Sequence, residues 1–157
     1  MRRQLFVAFC LLLFGSLAMA QDKISNKWNC AKPTEMHSLD VGDVPGHSYV
    51  IAQGSCTATD SSLGEKTGSY TEFQEVRKTS FTNHGYFTTT MDNGDMAHYS
   101  YAGSGPADIK NPVSNKWQIL NATGKHKGIK GSGTCSGTRH DDGSSDWVCT
   151  GTSSMAK

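Results

Sequence analysis

The tightest grouping of side chains that could do chemistry is Asp40-Val41-Gly42-Asp43-Val44-Pro45-Gly46-His47, two carboxylates and an imidazole around a Pro-Gly turn. Asp43 at that spacing could orient His47 and raise its basicity, as a general base requires. Asp and Pro-Gly are also ordinary turn formers. The plainer reading, with Asp43 capping the turn and His47 opening a strand, is therefore preferred. Two further acid–base candidates, Glu72 and His98, stand on separate predicted strands.

Other chemistries find little support. His37, His47, His84, His98, His126 and His140 follow no ligand spacing, and no C-x-x-C pair occurs, so no metal site is expected. No serine lies in G-x-S-x-G or S-x-x-K. The lysine–glycine run Lys125–Gly133 lacks the G-K-[ST] of a phosphate loop, so no cofactor is expected either. The aromatic set is more informative. Tyr49, Tyr70, Tyr86, Tyr99, Tyr101 and Trp117 are spread over different strand candidates. Turned inward, they would wall a cavity able to stack on a flat apolar molecule, with phenolic hydroxyls to orient it. Turned inward around a filled interior, the same rings would simply be core.

The elements that must position these residues are strands. From Gln21 onward there is no long amphipathic helical pattern; short β-branched and aromatic runs alternate with turn residues. Strands are predicted at His47–Ala58, Thr67–Thr79, Gly85–Met91, Asp95–Ala102, Lys116–Ala122, Gly128–Thr138 and Asp146–Thr152, with one more before Asp43. Asp92-Asn93-Gly94-Asp95 reads as a type I′ hairpin turn, Thr82-Asn83-His84-Gly85 as another turn, and Gly103 to Pro112 as a longer loop. Gly131, Gly133 and Gly137 share the parity of Cys135, the face that also takes Trp147 and Cys149. Repeated glycines on an inward face suit a sharply coiled strand better than a flat sheet. The fold class is all-β: a single antiparallel up-and-down barrel of about eight strands.

Four cysteines lie beyond the N-terminal segment, and four allow three pairings. Cys135 and Cys149 are equidistant from Asp142, in the turn-like stretch 140–146, so a hairpin there would set them face to face. Cys30 would then pair with Cys56, tying an irregular N-terminal segment to the first long strand.

Residues 1–20 read as a secretory signal: Arg2 and Arg3, an apolar run from Leu5 to Phe14, then Ala18-Met19-Ala20. Cleavage near Ala20 would release residues 21–157 as one domain in the periplasm or outside the cell, without a stable membrane anchor. Losing Arg2 and Arg3 lowers 15 basic side chains to 13 against 14 acidic ones. With no basic stripe, nucleic acid is not expected as a partner.

The segment WQILNATGKHKGIKGSGTCSG (Trp117–Gly137) resembles the strand–TGK–x–KG–x–x–G–x–G stretch of dirigent proteins and of the wider allene oxide cyclase-like barrel superfamily. That resemblance implies an eight-stranded antiparallel barrel whose interior can hold a hydrophobic or phenolic molecule. Dirigent proteins steer the coupling of phenoxy radicals; allene oxide cyclase isomerises an unstable fatty-acid epoxide. Their acidic and aromatic pocket residues lie outside the matched stretch, so no catalytic residue is carried over, and Cys135 and Cys149 depart from the pattern. Three functions follow. The foremost is an exported barrel that binds a small apolar or aromatic molecule without catalysis. The rival is a cofactor-independent isomerase or cyclase using Glu72, His98 or His47 with Asp43. The third is a structural or interaction protein with a filled core.

Overall fold

The computed structural model describes residues 21–155, and the segment read as a signal peptide lies outside them. Nine strands follow in order: β1 Asp22–Cys30, β2 Glu35–Asp40, β3 Ser48–Ser61, β4 Glu65–Val76, β5 Ser80–Met91, β6 Met96–Pro106, β7 Val113–Ala122, β8 Ile129–Arg139 and β9 Ser145–Met155. All neighbouring pairs are antiparallel, and β3 to β9 form one meander. β1 closes the cylinder, pairing with β9 along its whole length and with the C-terminal half of β3. β2 carries on along the N-terminal half of β3, outside the closed ring. The result is the expected eight-stranded barrel, plus one extra strand.

The sequence explains both closure and curvature. Alternation is strict on β1, where Ile24, Asn26, Trp28 and Cys30 turn inward. Both cysteine pairs sit directly opposite each other in the ladders, Cys30 with Cys56 and Cys135 with Cys149, at Cα separations of 3.9 and 4.0 Å, and both are disulfides. The segment around Cys30 was expected to be irregular. It is β1, whose inward-facing polar Asn26 disguises a period-two pattern.

Three more sequence readings need correction. The β4–β5 turn is Arg77-Lys78-Thr79, closed by reciprocal backbone hydrogen bonds between Arg77 and Ser80; Asn83 and His84 lie within β5 instead. The strand read as far as Thr79 therefore stops at Val76. β6 runs on to Pro106, where a missing amide is tolerated at a strand end, so the following loop is only 107–112. Finally, Asn93-Gly94 is not a type I′ turn, because only Gly94 has positive φ (83°). Gly94 N–H donates to Met91 O and Met91 N–H to Asp95 O, a type I turn completed by a left-handed glycine.

One end of the barrel is plugged by Ile24, Met91, Ile119 and Ile129, with Ala97 and Ala122 packed among them. Each of the four larger side chains contributes roughly 1.5–3 kcal/mol by leaving water. The opposite end, formed by the β1–β2, β6–β7 and β8–β9 connections, is open.

Candidate functional site

Inside the barrel lies a cavity of about 290 Å³. Its walls are built from a repeated cross-strand device in which a ring opposes a glycine. Tyr70 faces Gly54, Tyr101 faces Gly85, Trp117 faces Gly133 and Trp147 faces Gly137. A Cβ added at Gly54 would lie 2.5 Å from the Tyr70 hydroxyl oxygen, and one at Gly85 2.7 Å from that of Tyr101. The glycines thus supply the space that the rings occupy. Trp28 and Phe87, edge to face at 4.9 Å, complete the wall.

The inner limit of the cavity is polar. Glu65, only 1 % exposed, accepts from Thr89 Oγ1 and the Tyr99 hydroxyl at Oε1, both at 2.7 Å. Its Oε2 accepts from Asn26 Nδ2 at 2.8 Å and Ser61 Oγ at 3.0 Å. Four donors saturate this carboxylate and fit it to hold the wall together. Burial, and then the neighbouring Glu65, push the Tyr99 hydroxyl far above its ordinary pKa, which keeps it a donor.

Nearer the mouth stands Glu72. Its Oε2 accepts from Asn83 Nδ2 at 2.7 Å and its Oε1 from the Gln74 amide. Two phenols share its surroundings. Burial and then Glu72 push the Tyr70 hydroxyl up to about 12, and the same causes raise Tyr101 further. Both therefore keep their protons and can donate. At the rim, Arg139 Nη2 donates to the carbonyls of Pro106 (2.7 Å) and Asp108 (2.9 Å), and its guanidinium lies 4.9 Å from the Phe81 ring centre. Burial lowers the Arg139 pKa, opposed by Asp108. Among the described residues five buried side-chain polar atoms have no partner: Trp117 Nε1, Asn115 Oδ1, Asn83 Oδ1, Arg139 Nε and, away from the cavity, His126 Nε2.

Of the residues singled out from sequence, Glu72, Tyr70, Tyr99, Tyr101 and Trp117 line this cavity together. Tyr49 and Tyr86 do not. Each has the opposite parity on its strand, and they are 37 % and 63 % exposed on the outer surface. His98 also lies away from the cavity, hydrogen-bonded through Nδ1 to Thr88 Oγ1 at 3.0 Å. His47 does meet Asp43, Nδ1 to Oδ1 at 2.6 Å, and its Nε2 lies 3.2 Å from Glu75 Oε1. This trio sits outside the barrel, and Glu75 is engaged in turn by Arg77. Among the described residues, no group of three or more His, Cys, Asp or Glu side chains is placed to hold a metal ion.

Glu65 escaped sequence reading because of a bulge. Its ladder partner is Met91 while that of Thr67 is Thr90, so Lys66 is the additional residue and the inward parity changes from odd to even along β4. Counting back from Tyr70 and Glu72 by twos would place Lys66, not Glu65, inside. Asn115 and Arg139 were missed as polar residues on inward parity, a signal that alternation with Trp117 and Gly137 does carry.

Fold and cavity together define a closed antiparallel β-barrel with one open, aromatic-walled end. Two solved pterocarpan synthase dirigent proteins are similar to this chain in fold. One superposes with a TM-score of 0.55 at 10 % identity, over 96 % of this chain and 98 % of its own. The other gives a TM-score of 0.50 at 13 % identity, over 88 % and 97 %. The dirigent-like barrel expected from Trp117–Gly137 is thus the fold of this chain. No protein-family model matches the sequence, and no curated protein matches it.

Proposed function

We propose that this protein is exported and holds a small apolar or aromatic molecule inside its barrel without transforming it. The observation that carries this reading is the cavity of about 290 Å³ enclosed by aromatic rings. That volume is near the lower end, about 300 Å³, of ordinary small-molecule sites. Two disulfides accord with an oxidising compartment. Among the described residues no helix is long and apolar enough to cross a membrane. Native mass spectrometry of the protein purified from its own exported fraction is the test. A retained small molecule, released on denaturation, is expected; an empty protein that also binds no aromatic probe would count against the proposal.

Glu72 sustains a second reading, an isomerase or cyclase acting on a reactive lipid or phenolic intermediate. It is the single acid–base candidate of the four that lines the cavity. Such chemistry needs a shaped dry site and one positioned proton carrier. Cyclisation or isomerisation of a reactive phenolic intermediate, such as a quinone methide, is the assay. A rate acceleration that depends on Glu72 supports this reading, and the same rate with and without protein removes it for phenols.

A further inference from the structure

We propose that the cavity selects an organic cation, an ammonium carried on an aromatic or alkyl frame, with Glu72 as its counter-ion. This rests on the ligand-holding reading above and names the chemical class of the ligand. The charge inventory of the cavity is lopsided. Glu65 and Glu72 both line it, and among the described residues neither forms an ion pair with a lysine or arginine. Glu65 is satisfied by four neutral donors, whereas Glu72 has two amide donors and the neighbouring Tyr101 hydroxyl and stands nearer the mouth. Among the described residues the only guanidinium lining the cavity, that of Arg139, directs Nη2 to two rim carbonyls. His140, also at the rim, engages Asp146 at 2.9 Å.

The walls reinforce the same preference. Tyr70, Phe87, Tyr101, Trp28, Trp117 and Trp147 line the space, and the faces of aromatic rings attract cations, most strongly when water is excluded. An ammonium brings hydrogen-bond donors and no acceptor. It complements the Glu72 carboxylate, which lines the cavity. An anion in the same place would face two carboxylates and the negative faces of the rings.

Three probes on one frame separate charge from shape: 2-phenylethylammonium, 2-phenylethanol and phenylacetate, titrated calorimetrically at pH 7 into the full chain as exported. The expected order is ammonium tightest, by about tenfold over the alcohol, and phenylacetate weakest. Glu72→Gln should reduce the ammonium to the affinity that the alcohol has in the same variant, and measurable binding of the alcohol there reports an intact cavity. Equal affinity for ammonium and alcohol, or an ammonium preference that survives E72Q, overturns the proposal. Tightest binding of phenylacetate overturns it too and points to Arg139. Should E72Q fail to fold, the wild-type ranking decides. Failure of all three probes to bind refutes the ligand-holding reading itself, whereas alcohol binding without an ammonium preference refutes only the selection of charge.

Discussion

Trp147 stands directly across the β8–β9 ladder from Gly137, and its six-membered ring passes 2.6 Å from the point where a Cβ on Gly137 would lie. Glycine is a steric requirement here. Gly137→Ala should force the indole off its rotamer and cost about 1–3 kcal/mol, the usual price of overpacking. Urea titration followed by tryptophan fluorescence checks this, and because Trp28, Trp117 and Trp147 all line the cavity, the folded-state emission should shift as well.

Glu65→Gln tests the inner polar cluster. The carboxylate accepts from four donors, two on each oxygen. An amide keeps one acceptor oxygen and turns an NH2 toward the other two donors. With about 1–3 kcal/mol for each buried group left unpaired, a loss of about 2–4 kcal/mol in unfolding free energy is expected. Tyr99→Phe, which removes one donor alone, should cost only about 1 kcal/mol. An E65Q protein as stable as wild type would show that the cluster does not hold the wall.

The Cys135–Cys149 disulfide closes a sequence separation of 14 residues. Chain-entropy reasoning assigns a loop of that size about 3 kcal/mol. The double substitution Cys135→Ala with Cys149→Ala should therefore lower the urea midpoint markedly without altering the far-UV spectrum of the native state. Reductant should have little further effect on this hairpin in that variant, while still acting through Cys30–Cys56.

The Asp43 carboxyl is held below its ordinary pKa chiefly by its hydrogen bond from His47. A carboxylate whose folded pKa is depressed stabilises the fold above its unfolded value, about 3.9. That contribution disappears as pH falls through the lower folded value. Asp43→Asn should thus be less stable than wild type at pH 6, with the difference shrinking below about pH 4. Urea midpoints of both proteins measured from pH 2.5 to 7 give the answer, and a difference that grows on acidification would contradict the assignment.

Much of the barrel is legible in the chain because period-two alternation survives wherever apolar residues mark it. Trp117, Ile119, Cys135, Trp147 and Cys149 announce their faces, and the symmetry of two cysteines about Asp142 predicts a disulfide. β1 hides because one of its four inward positions is the polar Asn26. The β4–β5 turn hides because Asn83-His84-Gly85 has turn composition, yet Asn83 is buried as a donor to Glu72 and Gly85 makes room for Tyr101. The cavity is legible only in part. Composition can list the aromatic residues, but parity decides which of them face inward, and Tyr49 and Tyr86 fall on the outer face. Glu65 demands knowledge of a bulge that no residue type at Lys66 declares.

β3 divides its edge lengthwise between two partners, and only five residue pairs join it to β1, ending at the Cys30–Cys56 bond. In mechanical terms the cylinder is a rolled scroll whose long margins overlap over a short seam, with one covalent rivet at the end of that seam. Parting this seam breaks fewer backbone hydrogen bonds than separating the longer ladders, and it uncovers the interior while the rest of the meander stays rolled. Reduction of that single rivet would then give the cavity a lateral slit, a way in or out for a molecule too wide for the mouth.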